Sequence, residues 1–258
     1  MSSQANHSEE TSPKTEVARD AGNWATPVEH LKVSATPGGA LNLNVEGRET
    51  LSPLKGFGQL WQKTYQVKLS GADVQPTEVV RVWKEHFPEF QPPANRFYPS
   101  VAGVKPGEVV LINAMTPGGP VSTGVMVMYS DDESFTLMTP QGHPESGWVT
   151  FSAFEEDGCT VAQVQSLARA NDPFYEIAFR VAGSSLQESI WRHVLVSLAK
   201  YYKVDPHVEL VKACVDPRLQ WSEIGNIRHN AQMHTAIYTV TLPIRWLLRR
   251  GQNRGKNA

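Results

Sequence analysis

The chain has 258 residues, of which 40% are hydrophobic and 19% are charged, as in ordinary globular proteins with room for a large core. Its formal net charge of −2 provides no case for a basic nucleic-acid surface, so we expect no nucleic-acid partner. The cysteines Cys159 and Cys214 are far apart and lack CxxC spacing, which argues against a disulfide framework and against paired zinc ligands.

Residues 1–22 are polar and contain almost no large apolar side chain, which predicts a disordered tail. This stretch lacks the basic start and apolar centre of a secretory signal. No part of the chain approaches the roughly 18 apolar residues of a membrane-spanning helix, so we expect a cytoplasmic protein. Residues 23–53 predict an irregular arm, with a short alternating strand in ALNLNVEG at residues 40–47.

The folded domain is predicted to begin near Leu54, where residues 56–71 alternate between apolar and polar side chains. A period of two is typical of a strand with one buried face. Lys63 interrupts the pattern, because it places a charge on the apolar face. The apolar side chains of that face are Trp61, Tyr65, Val67 and Leu69.

A helix is predicted between Pro76 and Pro88, and the four prolines of residues 91–107 then predict a loop. Apolar segments separated by short turns follow, which predicts a meander of antiparallel strands forming one curved sheet. The predicted strands of this meander are residues 108–115, 121–130, 134–140, 147–154 and 159–170.

The period then changes to 3.6 and predicts a long helix at about residues 186–203, which Pro206 ends. Its wide apolar face must pack on a large surface, and the concave side of the sheet is the surface available. The predicted fold class is therefore α+β, with a curved antiparallel sheet wrapped around a long C-terminal helix. The apolar stripe of the helix consists of Ile190, Val194, Leu198 and Tyr201.

The order strand, helix, meander, long helix resembles the START-like superfamily, also called helix-grip or SRPBCC proteins. GHPESG at residues 142–147, with the strand after it and residues 161–183, resembles an uncharacterised bacterial and plant family known as a domain of unknown function. That family usually continues with two acidic residues, whereas Trp148 and Val149 follow here. The resemblance covers about residues 57–204. It implies a START-like domain at residues 54–204, with an apolar cavity for lipids, sterols, polyketides or other hydrophobic molecules.

GHPESG also contains the most chemically suggestive pair in the chain, His143 and Glu145 on either side of Pro144. The two side chains are candidates for ligand contact, although a tight bend made by Gly142 and Gly147 is the favoured interpretation of the segment. Metal sites use three or four ligands, and no catalytic sequence motif occurs, so we expect no metal, no cofactor and no catalytic residue.

Aromatic side chains supply the remaining site candidates. The predicted ligand-binding residues are Trp61, Tyr65, His143, Glu145, Trp148, Phe151 and Trp191. The aromatic members can equally be plain core, because cavity walls and core look the same in a sequence.

The predicted function is non-covalent binding of a hydrophobic small molecule or lipid in a cavity between the sheet and the long helix. One alternative is a cyclase-like or hydrolase-like enzyme in the same cavity, which predicts a buried histidine or carboxylate with a shifted pKa. The other is an interaction protein with a solid core and an exposed apolar patch.

Residues 205–258 are predicted to form an appended segment with a basic, amphipathic end. Its apolar stretch from Thr235 to Leu248 is too short to span a bilayer. The hypothesis for this segment is peripheral membrane contact. The alternative is a terminal helix docked on the domain with its charges in water.

Overall fold

The structure is a computed structural model that describes residues 21–181 and 185–254, with the backbone alone for residues 185–186 and 244–254. The predicted disordered tail therefore lies outside the described residues up to residue 20. The strands are β1 (Leu60–Lys68), β2 (Asn95–Tyr98), β3 (Val109–Thr116), β4 (Gly119–Ser130), β5 (Ser134–Met138), β6 (Glu145–Glu156), β7 (Cys159–Ala170) and β8 (Val208–Asp216). The helices are α1 (Pro76–Glu85), α2 (Pro173–Val181), α3 (Ser185–Tyr201) and α4 (Ala231–Arg254).

One antiparallel sheet contains all eight strands, in the order β2-β3-β4-β5-β6-β7-β1-β8. Neighbours from β2 to β7 are consecutive in sequence, as in a meander, and β1 then joins the far side between β7 and β8. Helices α1 and α3 pack on one face of this sheet, against β6 and β7 and against β1, β7 and β8 respectively. The predicted fold class is confirmed: an α+β chain with a curved antiparallel sheet wrapped around a long helix.

The space between the sheet and the helices is filled tightly at one end by aromatic rings. Trp83 of α1 and Phe87 just after it meet Phe135 and Phe151 of the sheet, and all four side chains are almost fully buried. Phe135 and Phe151 stack at a centroid distance of 4.7 Å. Burial of each such side chain stabilises the fold by about 1.5–3 kcal/mol.

The predicted stripe of α3 lies on this core. Val194, Leu195 and Leu198 have no exposed surface, because they face β1 and β7 beside the aromatic cluster. Tyr201, predicted to continue the stripe, is instead 49% exposed at the end of the helix. The middle of the stripe is thus packed against side chains, and the first turns of α3 border free space.

Several predicted elements differ from the structure. Residues 40–47 form no strand; instead Val45 packs with Leu31 against the outer face of β3 and β4. The predicted loop at residues 91–107 contains the short strand β2. Helix α2 was not predicted, although its start is regular: Pro173 occupies the first turn and the backbone N–H of Tyr175 donates to Asp172 Oδ1.

The chain beyond residue 204 is also part of the folded body. Strand β8 pairs with β1 along its whole length, and a 3₁₀-helix (Trp221–His229) then leads into α4, which packs against β4. The backbone N–H of Ala231 donates to the carbonyl of Gly142 at 2.9 Å. Gly142 has φ +88°, and a Cβ there would lie 2.0 Å from the carbonyl oxygen of His229, so a glycine is required for this approach.

Candidate functional site

A cavity of about 450 Å³ lies between the inner face of the sheet and the helices, beside the tightly packed aromatic end. Its floor comes from inward-facing side chains of β1, β3, β4, β6 and β7, and its roof comes from α2 and the first turns of α3. Its volume is within the range of about 300–1,000 Å³ that small-molecule sites occupy.

Most of the cavity wall is apolar. This follows from the period-two pattern of the strands, because each strand turns its alternate apolar side chains inward. The apolar lining includes Phe97, Ile112, Val121, Val125, Leu137, Val149, Phe174, Phe179, Ile190 and Trp191.

One end of the cavity is polar, and its centre is Lys63 on the inner face of β1. The Lys63 side chain is only 8% exposed, and its Nζ donates to Gln187 Oε1 of α3 at 2.6 Å. Gln187 Nε2 in turn donates to Glu145 Oε2 at the start of β6, at 2.9 Å. We call Lys63, Gln187, Glu145 and the adjacent His143 the polar end; its members come from β1, α3, β6 and the connection before β6, and all line the cavity.

The carboxylate of Glu188 also supports the charge of Lys63, and it pairs with Lys212 as well. Glu188, the residue after Gln187 on α3, lies 3.7 Å from Lys63 Nζ and 3.0 Å from Lys212 Nζ of β8. An ammonium group in so apolar a place needs such partners, because an unpaired buried charge is strongly destabilising. Burial still lowers the pKa of Lys63, while Glu145 and Glu188 oppose that shift.

Glu145 and His143 are shifted toward their neutral forms. Burial raises the pKa of Glu145, and the charge of Lys63 only partly offsets the rise. Burial lowers the pKa of His143 to about 4, so its ring is neutral at pH 7. His143 Nδ1 lies 3.0 Å from the backbone nitrogen of Glu145 and 3.1 Å from its carbonyl oxygen, so it accepts from the N–H in one tautomer and donates to the carbonyl in the other. Within the described part of the chain, no hydrogen bond reaches Glu145 Oε1 or His143 Nε2.

The GHPESG segment positions this pair through its backbone. Residues 139–144 form the tight connection between β5 and β6, in which the N–H of His143 donates to the carbonyl of Pro140. Gly147 has φ +153°, and a Cβ there would lie 2.2 Å from the carbonyl oxygen of Leu167. Glycine therefore lets β6 lie close to β7 immediately after Glu145, and the segment is both a bend and part of the cavity wall.

The structure separates the predicted site residues into two groups. Trp61, His143, Glu145, Trp148 and Trp191 line the cavity. Tyr65 and Phe151 do not line it, because both are fully buried in the core among α1, α3 and the sheet. Trp148 contributes to the wall although it belongs to the row of β6 that faces the other side of the sheet. That any of these residues binds a ligand stays a prediction.

Several wall residues were not candidates from the sequence. Gln187 gives no local signal, because its role depends on how α3 is rotated over the sheet. Phe174 and Phe179 belong to a helix that the sequence did not predict. Lys63 did give a signal, as a charge on an apolar strand face. Thr123 Oγ1 and Trp191 Nε1 are also in the wall, buried and without a hydrogen-bond partner in the described part of the chain.

The lowered pKa of His143 makes the stability of the fold depend on pH. The unfolded chain takes up the His143 proton near pH 6.5 and the folded chain only near pH 4. Between these values the unfolded chain binds more protons, so this group should remove stability as the pH falls, by up to about 3 kcal/mol. Urea unfolding at a series of pH values should show a smaller loss of unfolding free energy between pH 6.5 and 4 for His143→Gln than for the wild type.

The control for this measurement is His193→Gln, at an exposed position of α3. It should keep the wild-type dependence on pH. Equal slopes for the wild type and His143→Gln would contradict the burial of a neutral His143.

The described residues show no feature of a metal centre or a membrane span. No three His, Cys, Asp or Glu side chains among residues 21–181 and 185–254 are grouped as a metal ion requires. No helix in the same part of the chain is long and apolar enough to cross a bilayer.

Comparison with known proteins gives structural similarities only. No family model matches the chain. No curated protein matches it. Among solved structures, the chain is similar to Ara h 8.0201, with TM-score 0.39 and 12% identity over 55% of this chain and 97% of that one.

Two further similarities are of the same kind. For the di-domain ARO/CYC protein StfQ from the steffimycin biosynthetic pathway, the TM-score is 0.41 and the identity 12%, over 56% of this chain and 50% of StfQ. For ginseng major latex-like protein 151 from Panax ginseng, the TM-score is 0.38 and the identity 12%, over 57% of this chain and 99% of that one. At this level of identity none of them assigns a function to this chain.

Proposed function

We propose that this protein binds a hydrophobic small molecule or lipid whose single polar group is a hydroxyl. The observation that carries the proposal is the cavity of about 450 Å³, apolar over most of its wall and polar at the end formed by Lys63, Gln187, Glu145 and His143. Transfer of apolar ligand surface out of water would drive binding, at about 25 cal/mol per Å² before ordering costs.

The preference for a hydroxyl follows from what the polar end offers. His143 Nε2 is a donor in one tautomer and an acceptor in the other, and no hydrogen bond of the described residues reaches Glu145 Oε1. A hydroxyl group can both donate and accept, so it matches Nε2 in either tautomer. A ligand carboxylate would add a negative charge to a site in which Glu145 and Glu188 already balance Lys63 and Lys212, and an alkane would leave the polar groups desolvated without partners.

The proposed domain begins near residue 54 and extends past residue 204. Strand β8 belongs to the same sheet, and Lys212 of β8 supports the polar end through Glu188. Because GHPESG at residues 142–147 supplies His143 and Glu145, we also propose that proteins of the uncharacterised family it resembles share a polar group at this place.

The test compares three ligands of one chain length: dodecan-1-ol, dodecanoate and dodecane. Each displaces the neutral fluorescent probe N-phenyl-1-naphthylamine from the purified protein. Dodecan-1-ol should bind at least tenfold more tightly than the other two, since each lost hydrogen bond in a dry site costs about 1–3 kcal/mol. His143→Phe should reduce that preference to less than threefold while probe binding persists.

Gln165→Phe, on the outer face of β7, is the matched control and should leave all three affinities unchanged. Absence of probe binding would end the proposal of a ligand cavity. Equal affinity for the alcohol and the alkane would end the proposal for the hydroxyl.

A second candidate function is proton transfer to and from the bound molecule. It is favoured by one observation: a carboxyl with a raised pKa and a neutral imidazole lie next to each other in the cavity wall. In that reaction the Glu145 carboxylate would remove a proton from a carbon beside a carbonyl, and His143, in the tautomer with its proton on Nε2, would donate to the resulting oxyanion. Deuterium uptake by a bound methyl ketone in D₂O, followed by NMR, should be lost in Glu145→Gln; an equal rate in that variant would exclude this reaction.

A further inference from the structure

An exposed apolar surface lies beside the cavity. We call it the apolar patch and define it by seven side chains of the turn Pro53–Lys55, of α2 and of the 3₁₀-helix Trp221–His229. Its members are Leu54, Phe174, Ile177, Val181, Trp221, Ile224 and Ile227. Ile177, Val181 and Trp221 are 63%, 83% and 65% exposed, which is unusual for side chains of this size grouped together.

The three elements that carry the apolar patch are joined to one another. Asn226 Nδ2 of the 3₁₀-helix donates to the carbonyls of Lys55 and Asn171, at 2.8 and 3.0 Å. Residue 171 lies two positions before α2, so this one amide connects the turn, the 3₁₀-helix and the start of α2. Trp221 is held in turn against Phe57, at a centroid distance of 5.3 Å. These contacts therefore hold the three elements of the apolar patch together as one surface.

The apolar patch is continuous with the cavity. Phe174 belongs to both, because it lines the cavity and is also 37% exposed at the surface. Ala178 and Phe179 of the same helix line the cavity, while Ile177, the residue before them, faces solvent. Helix α2 therefore lies between the cavity and the apolar patch, which are separated here by the thickness of one helix.

Charge is distributed unevenly along the sequence, with basic residues concentrated toward its C-terminal end. The last 35 residues contain six basic residues and no acidic residue, so the preceding residues carry a net charge of −8 against −2 for the whole protein. Helix α4 carries four of these arginines in its final turns, at positions 245, 249, 250 and 254. Its first turns are fixed to the sheet, where the backbone N–H of Ser122 donates to Thr235 Oγ1 at 3.0 Å.

The described part of α4 also has an exposed apolar row. Met233, Ile237 and Val240 follow the i, i+4, i+7 spacing of one helix face and are 37%, 62% and 75% exposed. A helix with an exposed apolar row and a basic, acid-free end has the composition of helices that lie on anionic membrane surfaces.

We propose that this protein docks on an anionic lipid bilayer through the apolar patch and α4. The patch side chains would enter the boundary between head groups and acyl chains, and the arginines of α4 would bind the lipid phosphates and carboxylates. With the apolar patch in the bilayer, α2 faces the membrane, so a hydrophobic molecule would have a short apolar route between membrane and cavity. The proposal goes beyond the proposed function, because docking does not depend on what the cavity binds.

The experiment is sedimentation of the full chain with vesicles of phosphatidylcholine containing 30% phosphatidylserine, or none. The wild type should sediment with the anionic vesicles and at least fivefold less with the neutral ones. Raising the salt from 0.1 to 0.5 M should release most of the protein, because screening weakens exposed charge interactions. Ile177→Glu with Trp221→Glu should lower the bound fraction at least fivefold.

The matched control is Val101→Glu with Val211→Glu, two exposed apolar positions outside the patch and α4. It should sediment like the wild type, and both double variants should bind N-phenyl-1-naphthylamine equally in the absence of lipid. Wild-type protein that stays in solution with anionic vesicles would overturn the proposal. So would a patch variant that still sediments, or a wild type that dimerises through the patch in sedimentation velocity.

Discussion

Replacing Ala168 with phenylalanine should abolish binding in the cavity while the protein stays folded. Ala168 lies on the inner face of β7 opposite Trp61, and its Cβ is part of the cavity wall. A phenyl ring at this position would extend into the cavity. The affinity for N-phenyl-1-naphthylamine should fall at least tenfold, whereas the free energy of unfolding should change by less than about 1.5 kcal/mol, because filling space avoids the cost of overpacking.

Ala213→Phe is the matched control, since Ala213 lies on the outer face of β8. It adds the same ring without approaching the cavity and should leave probe binding unchanged. If Ala168→Phe binds the probe as the wild type does, the probe does not occupy this cavity.

The second large effect concerns stability. Phe151 stacks on Phe135 and makes edge contacts with Trp83, Phe87 and Trp191. Phe151→Ala should cost about 3–5 kcal/mol in urea unfolding, because it removes a fully buried ring from the centre of the core. Phe154→Ala, three residues along the same strand on its partly exposed face, should cost less than about 1 kcal/mol.

These variants also distinguish side chains of the core from side chains of the cavity wall. Phe151 was a predicted ligand-binding residue, but it belongs to the core and does not line the cavity. Phe151→Leu, which keeps most of the apolar volume, should therefore bind the probe almost normally. Comparable unfolding costs for Phe151→Ala and Phe154→Ala would contradict the packing described for the aromatic end.

The sequence predicted the parts of the fold that have a simple period. Strand β1, helix α1, the meander from β3 to β7 and helix α3 all alternate or repeat clearly, because each has one wet face and one buried face. Strand β8 was not predicted because it is an edge strand without a clear apolar face. Val211 and Val215 are exposed, whereas Lys212 faces inward. Strand β2 is four residues long and is flanked by prolines, which predict a loop.

The candidate site was predictable only where one residue carried a local anomaly. Lys63 was visible as a charge on an apolar face, and His143 and Glu145 as a polar pair in a bend. The hydrogen bonds that join Lys63 to Gln187 and Gln187 to Glu145 depend on the rotation of α3 over the sheet, and no local pattern encodes that rotation. Core and cavity wall also draw on the same aromatic residue types, so Tyr65 and Phe151 were indistinguishable from Trp191.

The position of β1 between β7 and β8 has a consequence during synthesis. Trp61 pairs with Ala168 on one side and with Cys214 on the other, so β1 emerges from the ribosome long before either neighbour exists. At about 5–20 residues per second, its second partner follows roughly 8–30 s later. Both edges of this strand are open until β7 is made, and one edge stays open until β8 is made, so the nascent chain should be a client of chaperones that bind extended apolar segments.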